Sequence, residues 1–128
     1  MKERIKKAIE TILLNRGEDW FIIIEEPDGE RFVQFTFDEG CGLFFDLPFQ
    51  ALDKIELERA RNLMTEFSIS AVKNPVFNEP GGRETGTQES FNHHVGLDAN
   101  LAVMLAFRVF TEVYELAETT ALNVSIMR

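Results

Sequence analysis

The stretch GLFFDLPF, Gly42 to Phe49, decides the fold. As a β-strand it sends Leu43, Phe45 and Leu47 to one side and Phe44 and Asp46 to the other. Both sides then carry an aromatic ring, although a small antiparallel sheet rests only one face on the core. The second face therefore needs a contact of its own.

Working outward, RFVQFTF (Arg31–Phe37) alternates in the same way, with Val33, Phe35 and Phe37 opposite Phe32, Gln34 and Thr36. DWFIIIEE (Asp19–Glu26) is β-branched and aromatic, and the turn sequences EPDGE and DEGCG separate the three runs. Three strands joined by short turns predict an antiparallel meander. Ahead of it, Ile5, Ile9, Ile12 and Leu13 predict a helix from residue 3 to about 16 with Gly17 as its C-terminal cap. After it, Leu57, Ala60, Leu63, Met64 and Phe67 predict a helix over 53–67, with Asp53 and Glu56 at capping-box spacing.

SISAV (Ser68–Val72) reads as a fourth strand, and KNPVFNEPGGRETG (Lys73–Gly86) as a long irregular segment. TQESFNHHVGL resumes strand alternation through Phe91, His93, Val95 and Leu97. A last helix, from Asp98 or Ala99 to about Leu116, has so narrow a polar edge that it is expected to be buried on most sides. ALNVSI (Ala121–Ile126) permits a short final strand. The order α-β-β-β-α-β-β-α predicts one α+β domain over 1–128, an antiparallel sheet with helices packed on one face.

The formal net charge of −9 argues against nucleic acid and anionic membrane surfaces as partners. Twelve Phe against one Trp and one Tyr supply apolar bodies without polar handles, which suits a core or a greasy contact surface. The single Cys41 excludes an intrachain disulfide and points to a reducing cytoplasm. MKERIKKAIETILL is amphipathic rather than a signal sequence, and no apolar run reaches the ~20 residues of a membrane span.

No catalytic motif is complete in the sequence. GGRETGTQ (Gly81–Gln88) has Thr87 where a phosphate-binding loop needs Lys, and carries Glu84 inside the loop. His93 and His94 point to opposite faces of a strand and cannot share one metal. Ser90, a histidine and Asp98 contain triad residue types without a nucleophile elbow. Cys41 lacks an adjacent base, and the pairs Glu25–Glu26 and Asp38–Glu39 read as solvated strand ends. No catalytic residue, cofactor or metal ligand follows.

If Ile22, Ile24, Val33, Phe35, Phe37, Phe45 and Leu47 lie under the helices, Phe21, Ile23, Phe32 and Phe44 gather on the opposite side. Covering them removes on the order of 600–1,000 Å² from water, at or above the largest patch usual on a monomer. These four are the candidate protein-binding residues, covered either by a subunit or peptide partner or, within the same chain, by the terminal helix or the 73–86 segment. Their surplus, with that of the last helix, predicts a homodimer.

LDKIELERARNLMTEF (Leu52–Phe67) and LAFRVFTEVYEL (Leu105–Leu116), in this element order, resemble the type III secretion chaperone-like superfamily, in particular its YbjN-like branch. The resemblance implies a non-enzymatic, often dimeric protein that holds an extended segment of a partner on its sheet and apolar grooves. The competing classes are a metal-assisted hydrolase using His93 or His94 with Asp98, and an acidic immunity or regulatory protein that blocks a folded target.

Overall fold

The computed structural model describes residues 1–15, 19–77 and 81–127. Over these residues the chain is α+β, with three α-helices and a six-stranded antiparallel sheet. The elements are α1 (Lys2–Leu14), β1 (Trp20–Glu25), β2 (Phe32–Asp38), β3 (Gly42–Pro48), α2 (Lys54–Glu66), β4 (Ala71–Phe77), β5 (Glu84–Gly96), α3 (Ala99–Arg108) and β6 (Asn123–Met127). A short 3₁₀ turn, Phe49–Ala51, joins β3 to α2. Strand order across the sheet is β4-β5-β3-β2-β1-β6.

The meander forms with the expected alternation. Phe35 pairs with Ile22 and with Phe45, and Phe37 with Trp20 and Leu43, so one side of all three strands is apolar. Ile22, Ile24, Val33, Phe35, Phe37, Phe45 and Leu47 are buried together with Ile5, Ile9 and Ile12 of α1, Met64 of α2 and Leu105 of α3. The helices thus occupy one face of the sheet, and α1 lies against α3.

Helix α1 ends at Leu14 with Asn15 as its C-cap, and the proposed cap Gly17 lies outside the described residues. Two expectations are corrected. Within the Lys73–Gly86 segment, expected to be irregular, Lys73–Phe77 belong to β4 and pair antiparallel with β5, which starts at Glu84; residues 78–80 lie outside the described residues. β4 is exposed along its whole length, and an edge strand wet on both faces has no apolar alternation to reveal it. The last helix is regular only to Arg108 and continues as a wider π-helical turn, Val109–Val113. Tyr114 N–H donates to Val109 O at 3.0 Å, and the widened turn keeps Val109, Phe110, Val113 and Tyr114 all buried. Finally, Asn123–Met127 forms β6, which pairs with β1 and adds the strand that ALNVSI permitted.

Helix α2 is delimited by sequence-local chemistry. Asp53 Oδ1 accepts from Glu56 N–H at 2.8 Å while Glu56 Oε1 accepts from Asp53 N–H at 3.0 Å, a reciprocal capping box. At its other end Ser68 takes φ 58°, and Ile69 N–H closes back on Met64 O at 2.8 Å. That is a Schellman ending with Ser in the place usually held by Gly.

Glu26 departs from the solvated strand end expected of it. It is buried and accepts from Arg31 Nη1 at 3.1 Å, while Arg31 Nε donates to Glu56 Oε2 at 3.3 Å. Burial, with a bond to Asp28, holds the Glu26 carboxyl above the usual carboxylate range despite Arg31. This cluster ties the β1–β2 turn to the start of α2. Tyr114 adds a third attachment, its hydroxyl donating to Phe32 O at 2.8 Å.

Burial pushes the Tyr114 hydroxyl well above the ordinary phenol range. The folded value is raised over the unfolded value of about 10, so the contribution is complete below that pH and is lost as pH rises above it. Tyr114 is the chain's single Tyr. Phenolate absorbance is therefore expected to appear only together with loss of the circular dichroism of the fold. Tyr114→Phe should cost about 1 kcal/mol at neutral pH and flatten the alkaline loss of stability. Phenolate forming near pH ~10 in an intact fold would contradict the burial.

Candidate functional site

The face opposite the helices is organised by the same register that builds the core. Phe21, Thr36 and Phe44 form one row, and Ile23, Gln34 and Asp46 the next. β5 extends these rows with His94 beside Phe44 and Asn92 beside Asp46. Phe32 lies opposite Glu25 in a third row. All four candidate binding residues, Phe21, Ile23, Phe32 and Phe44, therefore stand on the face away from the helices.

Each of the four is half-buried, and across the strands they stand opposite Thr36, Gln34 and Glu25. The His94 ring lies 4.8 Å from the Phe44 ring. Asp46 sits at the centre of an amide network. Gln34 Nε2 donates to Asp46 Oδ2. Asn92, with its amide nitrogen turned toward the carboxylate, donates to Asp46 Oδ1 at 2.7 Å and to Ser90 Oγ at 3.1 Å. The opposite amide orientation would set oxygen against oxygen.

Around this network lies a cleft of about 320 Å³, lined by Phe21, Gln34, Thr36, Phe44, Asp46, Asn74, Gln88, Ser90 and Asn92. Phe21 of β1 and Asn74 of β4 line the same cleft, although β2, β3 and β5 separate their strands. The sheet consequently curls toward its open side. The cleft gathers Phe21 and Phe44 of the candidate residues but neither Ile23 nor Phe32.

Of its polar residues, Gln34, Thr36 and Asp46 were readable beside the candidate rings, whereas Asn74, Gln88, Ser90 and Asn92 were not placed there. Ser90 and Asn92 alternate with Phe91 and His93, so their shared side was readable, but nothing local says that β5 lies beside β3. Asn74 and Gln88 fell in or beside the segment taken as irregular.

Close pairing of β3 and β5 depends on two glycines. The β3–β5 register shifts between Leu43 and Phe44; Leu43 stands opposite Gly96, and the Gly42 backbone packs against that of Gly96. Gly42 has φ 82°, and a Cβ there would stand 2.6 Å from the Gly96 carbonyl. This close approach sets the position of Phe44 and Asp46 relative to His94 and Asn92.

The residues of the rival enzymatic reading are dispersed. His93 and His94 are on opposite faces of β5, and His94 packs on Phe44. The Asp98 carboxylate accepts from Leu101 N–H at 3.1 Å as the N-cap of α3. Among the described residues, no group of three or more His, Cys, Asp or Glu side chains is placed to hold a metal ion. Cys41 is exposed between Gly40 and Gly42 in the β2–β3 turn, and GGRETGTQ supplies the start of β5. Asp38 uses its carboxylate to accept from Gly40 N–H at 2.7 Å. Arg108 is held by Glu66 and Glu112 on the helical side, keeping the Glu112 carboxyl below its ordinary range.

A second, apolar groove of about 490 Å³ is lined by Glu10, Leu13, Leu14 and Leu97. Among the described residues, no helix is long and apolar enough to cross a membrane. Comparison with protein-family models, curated proteins and solved structures returns no match.

Gly42→Ala combines a left-handed backbone angle with a backbone clash. The expected cost is about 2 kcal/mol or more, read as a lowered midpoint in denaturant. An unchanged midpoint would show that β3 and β5 do not approach this closely.

Proposed function

We propose that the protein is a non-enzymatic binding module that holds an extended polypeptide segment across the open face of its sheet. The observation that carries this reading is the curled cleft, whose aromatic side and amide side match the two needs of a bound strand. Gln34, Asn74, Gln88 and Asn92 offer donors and acceptors to a peptide backbone, and Phe21 and Phe44 offer contact to an apolar or amphipathic side chain. This role agrees with the secretion-chaperone-like, YbjN-like resemblance, and the exposed lone Cys41 suits a reducing cytoplasm.

The face is favoured over the sheet edge as the receiving surface. β4 carries Lys73 and Pro75 along an exposed strand, and Pro has no N–H to offer a neighbouring chain. The homodimer expectation loses part of its basis, because the apolar sides of the last helix are used within the core. A second copy seated on the open face remains the way for the chain to dimerise.

Panning a random dodecapeptide library against the protein tests the proposal. Selected peptides are expected to bind at micromolar affinity. Thr36→Trp, which fills the cleft from an exposed position, should weaken binding by about 30-fold or more, the size of a hot-spot loss near 2 kcal/mol. Thermal melts should leave that variant folded. Light scattering should give a mass near 14.7 kDa without peptide. Peptides that bind Thr36→Trp as well as the parent, or a dimer that Thr36→Trp splits into monomers, would overturn the proposal.

A further inference from the structure

The reading of the open face as a peptide site leaves open which side chain the cleft selects. Asp46 is the only formally charged residue of the nine that line it. Its carboxylate oxygens are held by neutral amides, from Gln34 and Asn92, and among the described residues no cation pairs with it. A carboxylate offers about four lone-pair sites, so two amide bonds leave acceptor capacity for a ligand.

The arrangement is directional. Gln34 and Asn92 grip Asp46 from two neighbouring strands, so the carboxylate is held in a fixed orientation within the cleft. Phe21 and Phe44 supply ring surface in the same cleft, where a flat cation is attracted to an aromatic face. The amide oxygens of Asn74 and Gln88 add acceptors for further N–H groups. Other ionisable groups on this face, among them Glu25, Asp38 and His94, lie outside the lining. The chain's net charge of −9 attracts a basic partner from a distance.

We infer that the cleft is a specificity pocket for an arginine side chain of the bound segment, with the guanidinium on Asp46 and its flat face or stem against Phe21 and Phe44. Guanidinium is favoured over ammonium because its planar fork of five donors can serve the Asp46 carboxylate and the amide oxygens of Asn74 and Gln88 together, and because it stacks on aromatic rings. Lysine fits the charge but not the fork, and an acidic residue is repelled by Asp46.

This inference rests on the proposed peptide-binding function, and its test separates the two. The probe is N-acetyl-arginine methylamide, titrated into the full chain and followed by the side-chain amide NMR signals of Gln34, Asn74, Gln88 and Asn92. Saturable shifts are expected at millimolar concentrations. The neutral isostere N-acetyl-citrulline methylamide should bind at least ~10-fold more weakly, the discrimination of a charge-assisted over a neutral hydrogen bond. Asp46→Asn should bring arginine down to the citrulline level. The citrulline comparison uses the unaltered protein, so the test holds even if Asp46→Asn unfolds.

Equal binding of arginine and citrulline, or shifts confined to the Leu13–Leu97 groove, would overturn the inference. Panned peptides that need the cleft but contain no basic residue would overturn it while leaving the peptide-binding function standing. Saturable arginine binding in the cleft, with no peptide recovered by panning, would support the pocket and remove the peptide-holding function.

Discussion

The packing of Phe35 against Phe45, ring centres 5.7 Å apart beneath the helices, is the contact on which the rest depends. Side chains alternate along a strand, so fixing these two rings in the core fixes every position on β2 and β3. A slip of one residue would bury Gln34, Thr36 and Asp46 and expose Val33, Phe35 and Phe37. The same register that seals the core therefore delivers Gln34, Asp46 and Phe44 to the opposite face. Core and cleft are two sides of one constraint.

Polar clusters then hold the two layers in place. Arg31 joins Glu26 in the β1–β2 turn to Glu56 at the start of α2, and Tyr114 ties the last helix to the backbone of β2. Losing one partner would leave a buried group unpaired, which costs more than the bond itself contributes. These contacts are not interchangeable with apolar packing, because each fixes an orientation as well as a distance. On the open face, the amide network of Asp46 plays the corresponding part for the cleft. It holds a charge in place without neutralising it.

Much of the fold was legible in the residues. The alternation of RFVQFTF and GLFFDL identified the meander and its buried side, and Asp53 with Glu56 marked the start of α2. These signals are local, because period and capping act within a few residues. What stayed hidden was non-local or masked by exposure. β4 has no apolar side, so Asn74, Pro75 and their neighbours read as a loop. Glu26 looked solvated because its partner Arg31 lies across a turn. The π-helical turn after Arg108, over which the Phe110 and Tyr114 rings meet at 5.9 Å, is announced by no spacing rule. For the site, the aromatic half was visible from β1 to β3, and Phe21 and Phe44 meet in the cleft. Ile23 and Phe32 share the face without reaching it. The amide half beyond Gln34 came from β5 and β4, whose place beside β3 only the tertiary structure supplies.

The central claim is that a partner segment lies across the open face, over the cleft that the Phe35–Phe45 register builds. Backbone amide shifts of the full chain on adding the tightest panned peptide test it most directly. The account predicts that the largest changes fall on β1, β2, β3 and β5 around Phe21, Thr36, Phe44, Asp46 and Asn92. Changes concentrated instead on α1 and the β5–α3 connection, around Leu13, Leu14 and Leu97, would contradict it and move the binding surface to the apolar groove.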